Sequence, residues 1–260
     1  MFSKIFKPYK TNDLIRLGPK EDGGYVVNKC AVINSDILIS FGLGAEFRFE
    51  KNFRIFNNSR IFCYDHSVNL MFWIKFFCIT LKQLCFELNF SKLKNYFIFF
   101  DYLFFFNSNK NFHIKKKIVS KKKKLKSEIL FSEIFRSTKK NNIFLKIDIE
   151  GDEIFILKEI LKYENRIYSL VIEFHNFFFT KKIIENFIND LNFLSLTHIH
   201  GNNYGEVNKI GEPDVLEFTF LNFKKVNIFK KIKSLKKYPV KNLDFPNNPL
   251  EKDLRIMFYK

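Results

Sequence analysis

Glycine and proline are both scarce in this chain of 260 residues, which contains 9 and 6 of them. Each glycine is therefore expected to occupy a position where the backbone needs its freedom. The sequence also lacks internal repeats and low-complexity linkers, and 47% of it is apolar. That length and composition are enough for one large domain with a substantial buried core. We predict a single domain over residues 1–260.

Cysteine pairs of the CxxC type are missing, although the chain has 4 cysteines, at positions 30, 63, 78 and 85. The first residues, MFSKIFKPYK, contain no apolar core of a signal peptide. Reduced thiols and a cytoplasmic location are therefore the expectation.

Long uncharged apolar runs are missing as well. A membrane-spanning helix needs about 18 or more such residues in a row. The Phe-rich region 70–106 never reaches that length, because it is interrupted by Lys75, Lys82, Glu87, Lys92, Lys94 and Asp101. We expect no transmembrane segment, and peripheral membrane contact stays open.

Acidic residues are much less frequent than basic ones: the chain has 27 Asp and Glu against 44 Lys and Arg, and its formal net charge is +17. Such a charge suits a partner made of nucleic acid, anionic phosphates or a membrane surface. A proteome biased toward lysine produces the same figure. The lysines cluster at 115–117, at 121–124 and in the C-terminal tail, without an arginine-rich helix or an RNA-binding signature. Nucleic acid is therefore not the favoured partner.

From residue 36 onward, short apolar segments alternate with longer helical patterns. This alternation is typical of an α/β fold with a mostly parallel sheet. The predicted strands are 36–41, 60–65, 112–120, 142–148, 168–174, 194–200 and 214–222, the last suited to an antiparallel position. The predicted helical segments are 46–58, 67–106, 127–137, 151–163 and 180–192.

These elements suggest how the chain is organised. Residues 1–35 form an N-terminal cap, and residues 36–222 form the α/β core with a helical insertion near 71–110. Residues 223–260 form a tail rich in Lys and Pro, with room for one helix.

A Gly-x-Gly pair, Gly42 and Gly44, follows the first predicted core strand. Such a pair lets the backbone turn tightly and approach a ligand. Asp65 ends the next strand, where an acidic residue accepts hydrogen bonds from ribose hydroxyls. The third glycine of a dinucleotide fingerprint is absent, because position 47 is Phe. The pattern therefore favours a nucleoside cofactor without phosphates, such as S-adenosylmethionine, over a dinucleotide.

Carboxylates and histidines stand at the ends of three consecutive predicted strands. Asp148 ends one strand, Glu173 and His175 end the following one, and His200 ends the next. In open α/β sheets, ligands bind beyond the carboxyl ends of the strands. The sequence thus predicts that these four side chains share one edge of the sheet.

Seven short segments stand out together: EDGGYVV (21–27), SFGLGAEFRFE (40–50), CYD (63–65), LKIDIEGDE (145–153), VIEFH (171–175), HIHGNN (198–203) and EPDVLEFTF (212–220). In this order they resemble the FkbM-type methyltransferases and their relatives. The resemblance implies a Rossmann-like class I fold: a seven-stranded, mostly parallel sheet with the last strand antiparallel and helices on both faces. It also implies S-adenosylmethionine-dependent O-methylation of a sugar hydroxyl, in a nucleotide-linked sugar or a surface polysaccharide precursor such as that of a capsule.

The resemblance also implies roles for individual residues in cofactor binding. Gly42 and Gly44 would line the cofactor loop, Asp65 would hold the ribose, and Glu50 would support the loop. The cap residues that would fold over the cofactor or its methionine end are Asp22, Gly23, Gly24 and Tyr25.

Activation of the acceptor has two versions that both stay open. In one, His200 or His175 is the general base, because imidazole titrates near neutral pH. In the other, Asp148, Glu173 and His200 bind a divalent cation, Mg²⁺ or Mn²⁺, which acidifies the hydroxyl.

The other carboxylates of LKIDIEGDE are interpreted differently from Asp148, which carries the catalytic assignment. Asp152 and Glu153 are expected in the first turn of the next helix, where the helix dipole favours acids. Glu150 fits either role.

Two alternative functions remain. The first, an RNA methyltransferase, is motivated by the charge, but Asp-Ile-Glu-Gly is not the Asn/Asp-Pro-Pro-Tyr/Phe type of motif. The second is a non-catalytic binding module that keeps the fold. The many Phe residues of the insertion could also form the interface of a homo-oligomer.

Overall fold

The computed structural model describes residues 1–85, 94–228 and 230–259. Residues 86–93 of the predicted insertion, and residues 229 and 260 of the predicted tail, lie outside the described residues.

The predicted N-terminal cap is a short hairpin followed by a helix. Strands β1 (Leu14–Leu17) and β2 (Tyr25–Asn28) pair antiparallel, and α1 (Lys29–Asn34) follows them directly. All four residues of β2 are buried. Tyr25 and Val27 belong to the same apolar cluster as Leu38 of the first core strand, so the cap packs on one face of the sheet.

The core is a seven-stranded sheet. In chain order its strands are β3 (Ile37–Phe41), β4 (Arg60–Tyr64), β5 (Asn111–Ile114), β8 (Ile143–Ile147), β9 (Ile167–Phe174), β10 (Leu194–Gly201) and β11 (Leu216–Asn222). Their spatial order is β10-β11-β9-β8-β3-β4-β5. β11 pairs antiparallel with both β9 and β10, and the pairs between β9, β8, β3, β4 and β5 are all parallel. The predicted sheet, with an antiparallel last strand, is confirmed.

Helices cover both faces of the sheet. One face carries α5 (Phe131–Ser137), α6 (Glu153–Tyr163) and α7 (Phe177–Asp190). The other carries the cap, α2 (Arg48–Phe56), α3 (Leu70–Cys85) and α4 (Lys94–Phe106). This arrangement is the Rossmann-like α/β fold that the sequence predicts.

Alternation along the central strand β8 explains why both faces are occupied. Successive side chains of a strand point to opposite faces. Ile143, Leu145 and Ile147 join the cluster under α5, α6 and α7. Phe144 joins the cluster under α2, and Lys146 is on the same face and is likewise buried. A strand buried on both faces is typical of a parallel sheet.

Three expected elements differ from the structure. The predicted strand 112–120 is two strands, because the chain leaves the main sheet after β5 and β6 (Lys117–Val119) pairs instead with β7 (Glu128–Leu130). The helix predicted from residue 127 begins at Phe131, after β7. Within residues 223–228 and 230–259 the tail contains no helix. The prediction of one domain over residues 1–260 stays a prediction.

The tail instead lies against the body of the protein. The N–H of Phe2 donates to the carbonyl of Met257, and the N–H of Asp22 donates to the carbonyl of Asn247. Asn247 of the tail is fully buried. None of the described helices is long and apolar enough to cross a membrane.

Candidate active site

A cleft of about 410 Å³ lies at the carboxyl ends of β3, β4 and β8. Its walls include Gly42, Asp65, Ile118, Asp148 and Ile149. Another cleft lies at the opposite ends of β3 and β4, where Asp36 and Arg60 line it. Because ligands of open α/β sheets bind beyond the carboxyl ends, the first cleft is the candidate site.

Gly42 makes the turn at the end of β3 possible. Its φ is +82°, a conformation that side chains rarely adopt, and a Cβ there would lie 1.6 Å from the carbonyl oxygen of Asp148. Gly44 also has a positive φ of +55°, but within the part of the chain that the structure describes a Cβ there would meet only the backbone nitrogen of Glu46, at 3.9 Å. Gly42 is therefore needed for close approach of the backbones at the ends of β3 and β8, and Gly44 faces open space.

Asp65 is tied to the glycine loop. Its Oδ2 accepts hydrogen bonds from the N–H groups of Leu43 at 2.9 Å and Gly44 at 3.1 Å. Its Oδ1 accepts from the N–H of Ser67 at 2.7 Å and from the Ser67 hydroxyl at 2.6 Å. Burial opposes ionisation, but the hydrogen bonds from Ser67, Leu43 and Gly44 outweigh it and lower the pKa of Asp65. The carboxylate is thus ionised and fixed at the edge of the cleft.

Tyr25 brings the cap to the sheet edge. Its hydroxyl lies 2.9 Å from Oδ2 of Asp148 and 2.8 Å from Oε2 of Glu173. A phenol has one proton to donate, so one of these two contacts requires a proton from a carboxyl group. Burial, and then the charges of Asp148 and Glu217, raise the pKa of Glu173 well above its usual range. This direction favours Glu173 over Asp148 as the source of that proton, with Tyr25 donating to Asp148.

The rest of the predicted cap motif is held by amides. Oδ1 of Asp22 accepts from Nδ2 of Asn202 at 3.2 Å and from Nδ2 of Asn247 at 3.0 Å. Burial, opposed by the bond from Asn247, and the nearby charges of Glu217 and Asp148 raise the pKa of Asp22. Gly23 (φ +81°) and Gly24 are packed within the cap, where a Cβ at Gly24 would lie 2.1 Å from the carbonyl oxygen of Pro19. Their role at a cofactor stays a prediction.

His175 is held by Glu153, the first residue of α6. Nδ1 of His175 donates to Oε1 of Glu153 at 3.0 Å, and that oxygen also accepts from the N–H groups of Ile149 and Gly151. Burial disfavours the imidazolium ion, but Glu153, then Glu173 and Asp148, favour it and raise the pKa of His175 to about 9. Its Nε2 points toward Glu150, whose Oε2 is 3.5 Å away.

Asp148, Glu150 and His175 form a group that could hold a metal ion. Among residues 1–85, 94–228 and 230–259, these are the one set of His, Cys, Asp or Glu that places three ligand atoms within 4.8 Å of one another. The backbone of Glu150 has a φ of +55°, and the following Gly151 has a φ of +102°. This turn between β8 and α6 brings the Glu150 carboxylate back beside His175.

His200 does not join this group. Its Nδ1 lies 3.0 Å from Oε2 of Glu217, and its Nε2 lies 3.0 Å from Oδ1 of Asp253. Burial is outweighed by these two carboxylates, which raise the pKa of His200 to about 10. The predicted roles of His200 as general base and as metal ligand with Asp148 and Glu173 are therefore corrected: both ring nitrogens are engaged, and the residue joins β10 to the tail.

Glu50 does not line the cleft, and its predicted role in supporting the cofactor loop stays a prediction. It is fully buried between α2 and the sheet, where its Oε1 accepts from the Ser40 hydroxyl at 2.7 Å and lies 3.7 Å from Nζ of Lys146. Burial lowers the pKa of Lys146, but Glu50 and Asp148 outweigh it, so the pKa is raised and the amine stays charged. Nζ of Lys146 is 4.0 Å from Oδ2 of Asp148. Glu50 thus contacts Ser40 of β3 and Lys146 of β8, behind the cleft.

Sequence reasoning missed several residues of this network. Lys146 carries a detectable signal, since a lysine at an inward position of a doubly buried strand needs a partner. Glu153 was correctly placed at the start of α6, but its bond to His175 has no sequence signal. Four further residues have contacts in this network that no sequence pattern indicates, because they come from β11 and from loops distant in sequence: Asn202, Glu217, Asn247 and Asp253.

No protein-family model matches the chain, and no curated protein matches it. Several solved structures are similar over most of it. An rRNA methylase from Streptococcus thermophilus is 12% identical with a TM-score of 0.41, over 75% of this chain and 92% of that one. A precorrin-6y C5,15-methyltransferase from Geobacter metallireducens is 10% identical with a TM-score of 0.37, over 74% and 85%. The M. jannaschii protein TYW2 in complex with AdoMet is 12% identical with a TM-score of 0.33, over 82% and 89%. Such distant similarity assigns no activity, and the fold assignment rests on the strand order of this chain.

Proposed function

We propose that this protein is an S-adenosylmethionine-dependent methyltransferase of the FkbM type. The observation that carries the proposal is the cleft at the carboxyl ends of β3, β4 and β8, where Gly42, Asp65 and Asp148 meet. These residues belong to three of the segments that resemble the family. Bound there, S-adenosylmethionine would supply an electrophilic methyl group on a sulfonium centre.

The residues of the cleft suit such a cofactor. A volume of about 410 Å³ falls within the range of small-molecule sites, roughly 300–1,000 Å³. Asp65 would accept the ribose hydroxyls at Oδ1, where they would replace the exchangeable hydroxyl of exposed Ser67. Ile118 and Ile149 offer apolar walls for adenine. The negative charge of Asp148 is suited to the positive sulfonium end.

Binding of S-adenosylmethionine, measured by calorimetry, tests this proposal. We expect binding by the full chain and loss of roughly tenfold or more in affinity for Asp65→Ala, which removes charged hydrogen bonds. Asp190→Ala, at the exposed end of α7, is the matched control and should bind as the unaltered protein does. No binding by the unaltered protein would overturn both enzyme hypotheses and leave the non-catalytic binding module.

We further propose that the acceptor is a hydroxyl group activated beside Asp148, Glu150 and His175. Free His175 is largely protonated at neutral pH, because its pKa is raised to about 9, so it is not a ready base. A divalent cation at these three residues would displace that proton from Nε2 and lower the pKa of a bound hydroxyl. Glu153 would then hold His175 in position through Nδ1, as carboxylates do for histidine ligands.

Binding of Mn²⁺, followed by electron paramagnetic resonance, tests the metal site independently of activity. We expect saturable binding that is lost in Asp148→Asn and in His175→Gln. His66→Gln is the matched control, because His66 lines the same cleft but is not in the group. Methyl transfer that is indifferent to excess EDTA, or equal Mn²⁺ binding by all three variants, would rule out this site.

A sugar hydroxyl is the proposed acceptor, in a nucleotide-linked sugar or a surface polysaccharide precursor. Lys116 and Lys117 line the cleft and suit a phosphate group of such a substrate, although Lys117 is partly engaged by Asp152 at 2.6 Å. Mass spectrometry of candidate nucleotide-sugars incubated with protein and cofactor should reveal a gain of one methyl group.

RNA is the second candidate acceptor, and the basic charge beside the cleft favours it. Residues 115–126 contain eight lysines and no acidic residue. Binding to phosphates weakens steeply as salt rises. Tight RNA binding retained at about 200 mM salt, together with methylation of that RNA, would place this candidate first.

A further inference from the structure

A pair of apolar helices stands beside the cleft with much of its apolar surface uncovered. On α4, three Phe side chains follow one another at spacings of three and four residues and are highly exposed: Phe97 by 71%, Phe100 by 65% and Phe104 by 86%. Residues at these spacings lie on one face of a helix. The one acidic residue of α4, Asp101, is paired with Nζ of Lys51 at 2.6 Å.

The neighbouring helix α3 has a similar exposed stripe. Met71, Ile74, Cys78 and Leu81 are exposed and recur at spacings of three and four residues. The two helices contact each other through other side chains, since the ring of Trp73 lies 5.1 Å from Phe99 and 5.0 Å from Tyr102. The exposed stripes therefore do not hold the two helices together. Exposed apolar stripes of this kind mark an interaction site.

A strongly basic segment adjoins the apolar surface. Lys115 lines the same groove as Phe97, Phe100 and Phe104. Lys116 in turn shares a groove with three further lysines of the segment 115–126. Lys117 and Lys123 are paired with carboxylates. Within the described ranges, the lysines of this segment that make no ion pair are Lys115, Lys116, Lys121, Lys122, Lys124 and Lys126.

We propose that the helix pair α3–α4 and the basic segment 115–126 together bind the surface of an anionic lipid membrane. The apolar side chains would enter the headgroup region, and the lysines would meet lipid phosphates. Stable membrane attachment usually takes two such signals, an apolar insertion and a basic patch. Here the two adjoin each other at the Lys115 groove.

The character of the exposed side chains favours lipid over the other partners. RNA would explain the lysines, and its bases could stack on the Phe rings. It offers no apolar surface that would bury the exposed aliphatic side chains of Met71, Ile74 and Leu81. A second copy of this chain would explain the apolar surface, but it would bring two segments of high positive charge together. A bilayer with anionic headgroups satisfies both features.

The same arrangement orients the cleft. Lys116 lies in the groove of the basic segment and also lines the candidate active site. A membrane bound at the basic segment would therefore lie close to the mouth of the cleft. The inference itself stands on this surface and does not depend on the proposed methyl transfer.

Flotation with lipid vesicles tests the proposal on the full chain. We expect binding to vesicles of phosphatidylcholine with about one third phosphatidylglycerol, and little to phosphatidylcholine alone. The double variant Phe100→Ser, Phe104→Ser and the variant with Lys121, Lys122 and Lys124 changed to Gln should each lose roughly tenfold or more of that binding.

Matched controls carry the same changes elsewhere on the surface. Phe179→Ser with Leu235→Ser alters two residues that are 87% and 93% exposed, and Lys236→Gln with Lys237→Gln removes exposed charge from the tail. These variants should bind vesicles as the unaltered protein does, and circular dichroism should show that all variants remain folded.

Several results would overturn the proposal. They are equal binding to neutral and anionic vesicles, no vesicle binding at all, or unchanged binding by the Phe and Lys variants. Sedimentation showing a dimer that the Phe variant dissociates, without vesicle binding, would assign the surface to a second copy. Binding of RNA without vesicle binding would assign the lysines to nucleic acid.

Discussion

Oε1 of Glu50 and Nζ of Lys146 lie 3.7 Å apart, and both side chains are withdrawn from solvent. Lys146 also lies over the ring of Tyr25, 5.4 Å from its centre. Oε2 of Glu50 has no hydrogen-bond partner among residues 1–85, 94–228 and 230–259. This ion pair connects the sheet to α2. Nζ of Lys146 is also 4.0 Å from Oδ2 of Asp148, so the charge of Lys146 acts on both Glu50 and the candidate catalytic carboxylate.

Removal of Lys146 alone should be strongly destabilising. Lys146→Met leaves Glu50 as a buried carboxylate without a counter-charge, and such a change typically lowers the free energy of unfolding by about 3–5 kcal/mol. The double variant Glu50→Gln, Lys146→Met should recover part of this loss, because neither charge is then left alone. Urea unfolding of the two variants measures the difference.

Lys51→Met is the control for that experiment. Lys51 is on the same helix as Glu50 and pairs with Asp101 at 2.6 Å, but the two side chains are 37% and 42% exposed. Exposed ion pairs contribute about 1 kcal/mol or less to the free energy of unfolding. A loss for Lys146→Met no larger than that for Lys51→Met would mean that the buried pair does not behave as described.

Two glycines of one loop should respond differently to the same substitution. Gly44→Ala places a side chain at a positive φ in open space and should cost about 1–2 kcal/mol of stability. Gly42→Ala adds a Cβ that would lie 1.6 Å from the Asp148 carbonyl oxygen, so β3 and β8 must separate at the cleft. We expect Gly42→Ala to abolish binding of S-adenosylmethionine in calorimetry and to destabilise the fold further. Equal stability and binding in the two variants would contradict the role given to Gly42.

Stability should fall as the pH rises above neutrality. The folded-state pKa values of His175 and His200 are raised to about 9 and about 10, above the value of about 6.5 expected in the unfolded chain. The folded state therefore binds more protons in this window, and its stabilisation is complete below about pH 6.5 and lost as the pH rises through the folded pKa values. The raised pKa of Glu173 acts in the same direction.

Urea unfolding between about pH 6.5 and 9 measures this dependence, which should be up to about 1.4 kcal/mol per pH unit for each histidine. Glu153→Gln should lower the pKa of His175, seen by nuclear magnetic resonance titration, and flatten the slope. The exposed His66, changed to Gln, should leave the slope unaltered. A stability that rises across this window would contradict the two charged histidines.

The sheet could be predicted from the sequence because its strands carry a local signal. Short apolar segments such as 36–41 and 142–148 alternate with helical patterns, and the structure ends β3 at Phe41 and β8 at Ile147, within one residue of the predicted ends. Residues 112–120 show the limit of that signal. Their pattern is continuous, but the pairing partner changes from β4 to β7, and pairing is a property of distant residues.

The candidate site was predictable only where one residue follows its own strand. Asp65 and Asp148 meet at the cleft as expected, because parallel strands end at the same edge. His200 also ends a strand, but β10 is separated from β9 by β11, and Glu217 and Asp253 engage both its ring nitrogens. Those two partners depend on the register of an antiparallel strand and the path of the tail, which no local pattern encodes.

Tyr25→Phe should separate the role of the hydroxyl from that of the ring. The ring packs against Phe49 at 5.7 Å and would stay in place, but Asp148 and Glu173 would both lose their shared partner. Loss of a buried hydrogen-bonding group typically costs about 1–3 kcal/mol of stability. Because Asp148 would no longer be held, we also expect methyl transfer to fall by roughly tenfold or more at unchanged fold.

Tyr238→Phe alters another buried tyrosine, beside His198 and away from the cleft, and should leave transfer unaltered. Equal activity of Tyr25→Phe and the unaltered protein would show that the link between the cap and Asp148 has no part in catalysis.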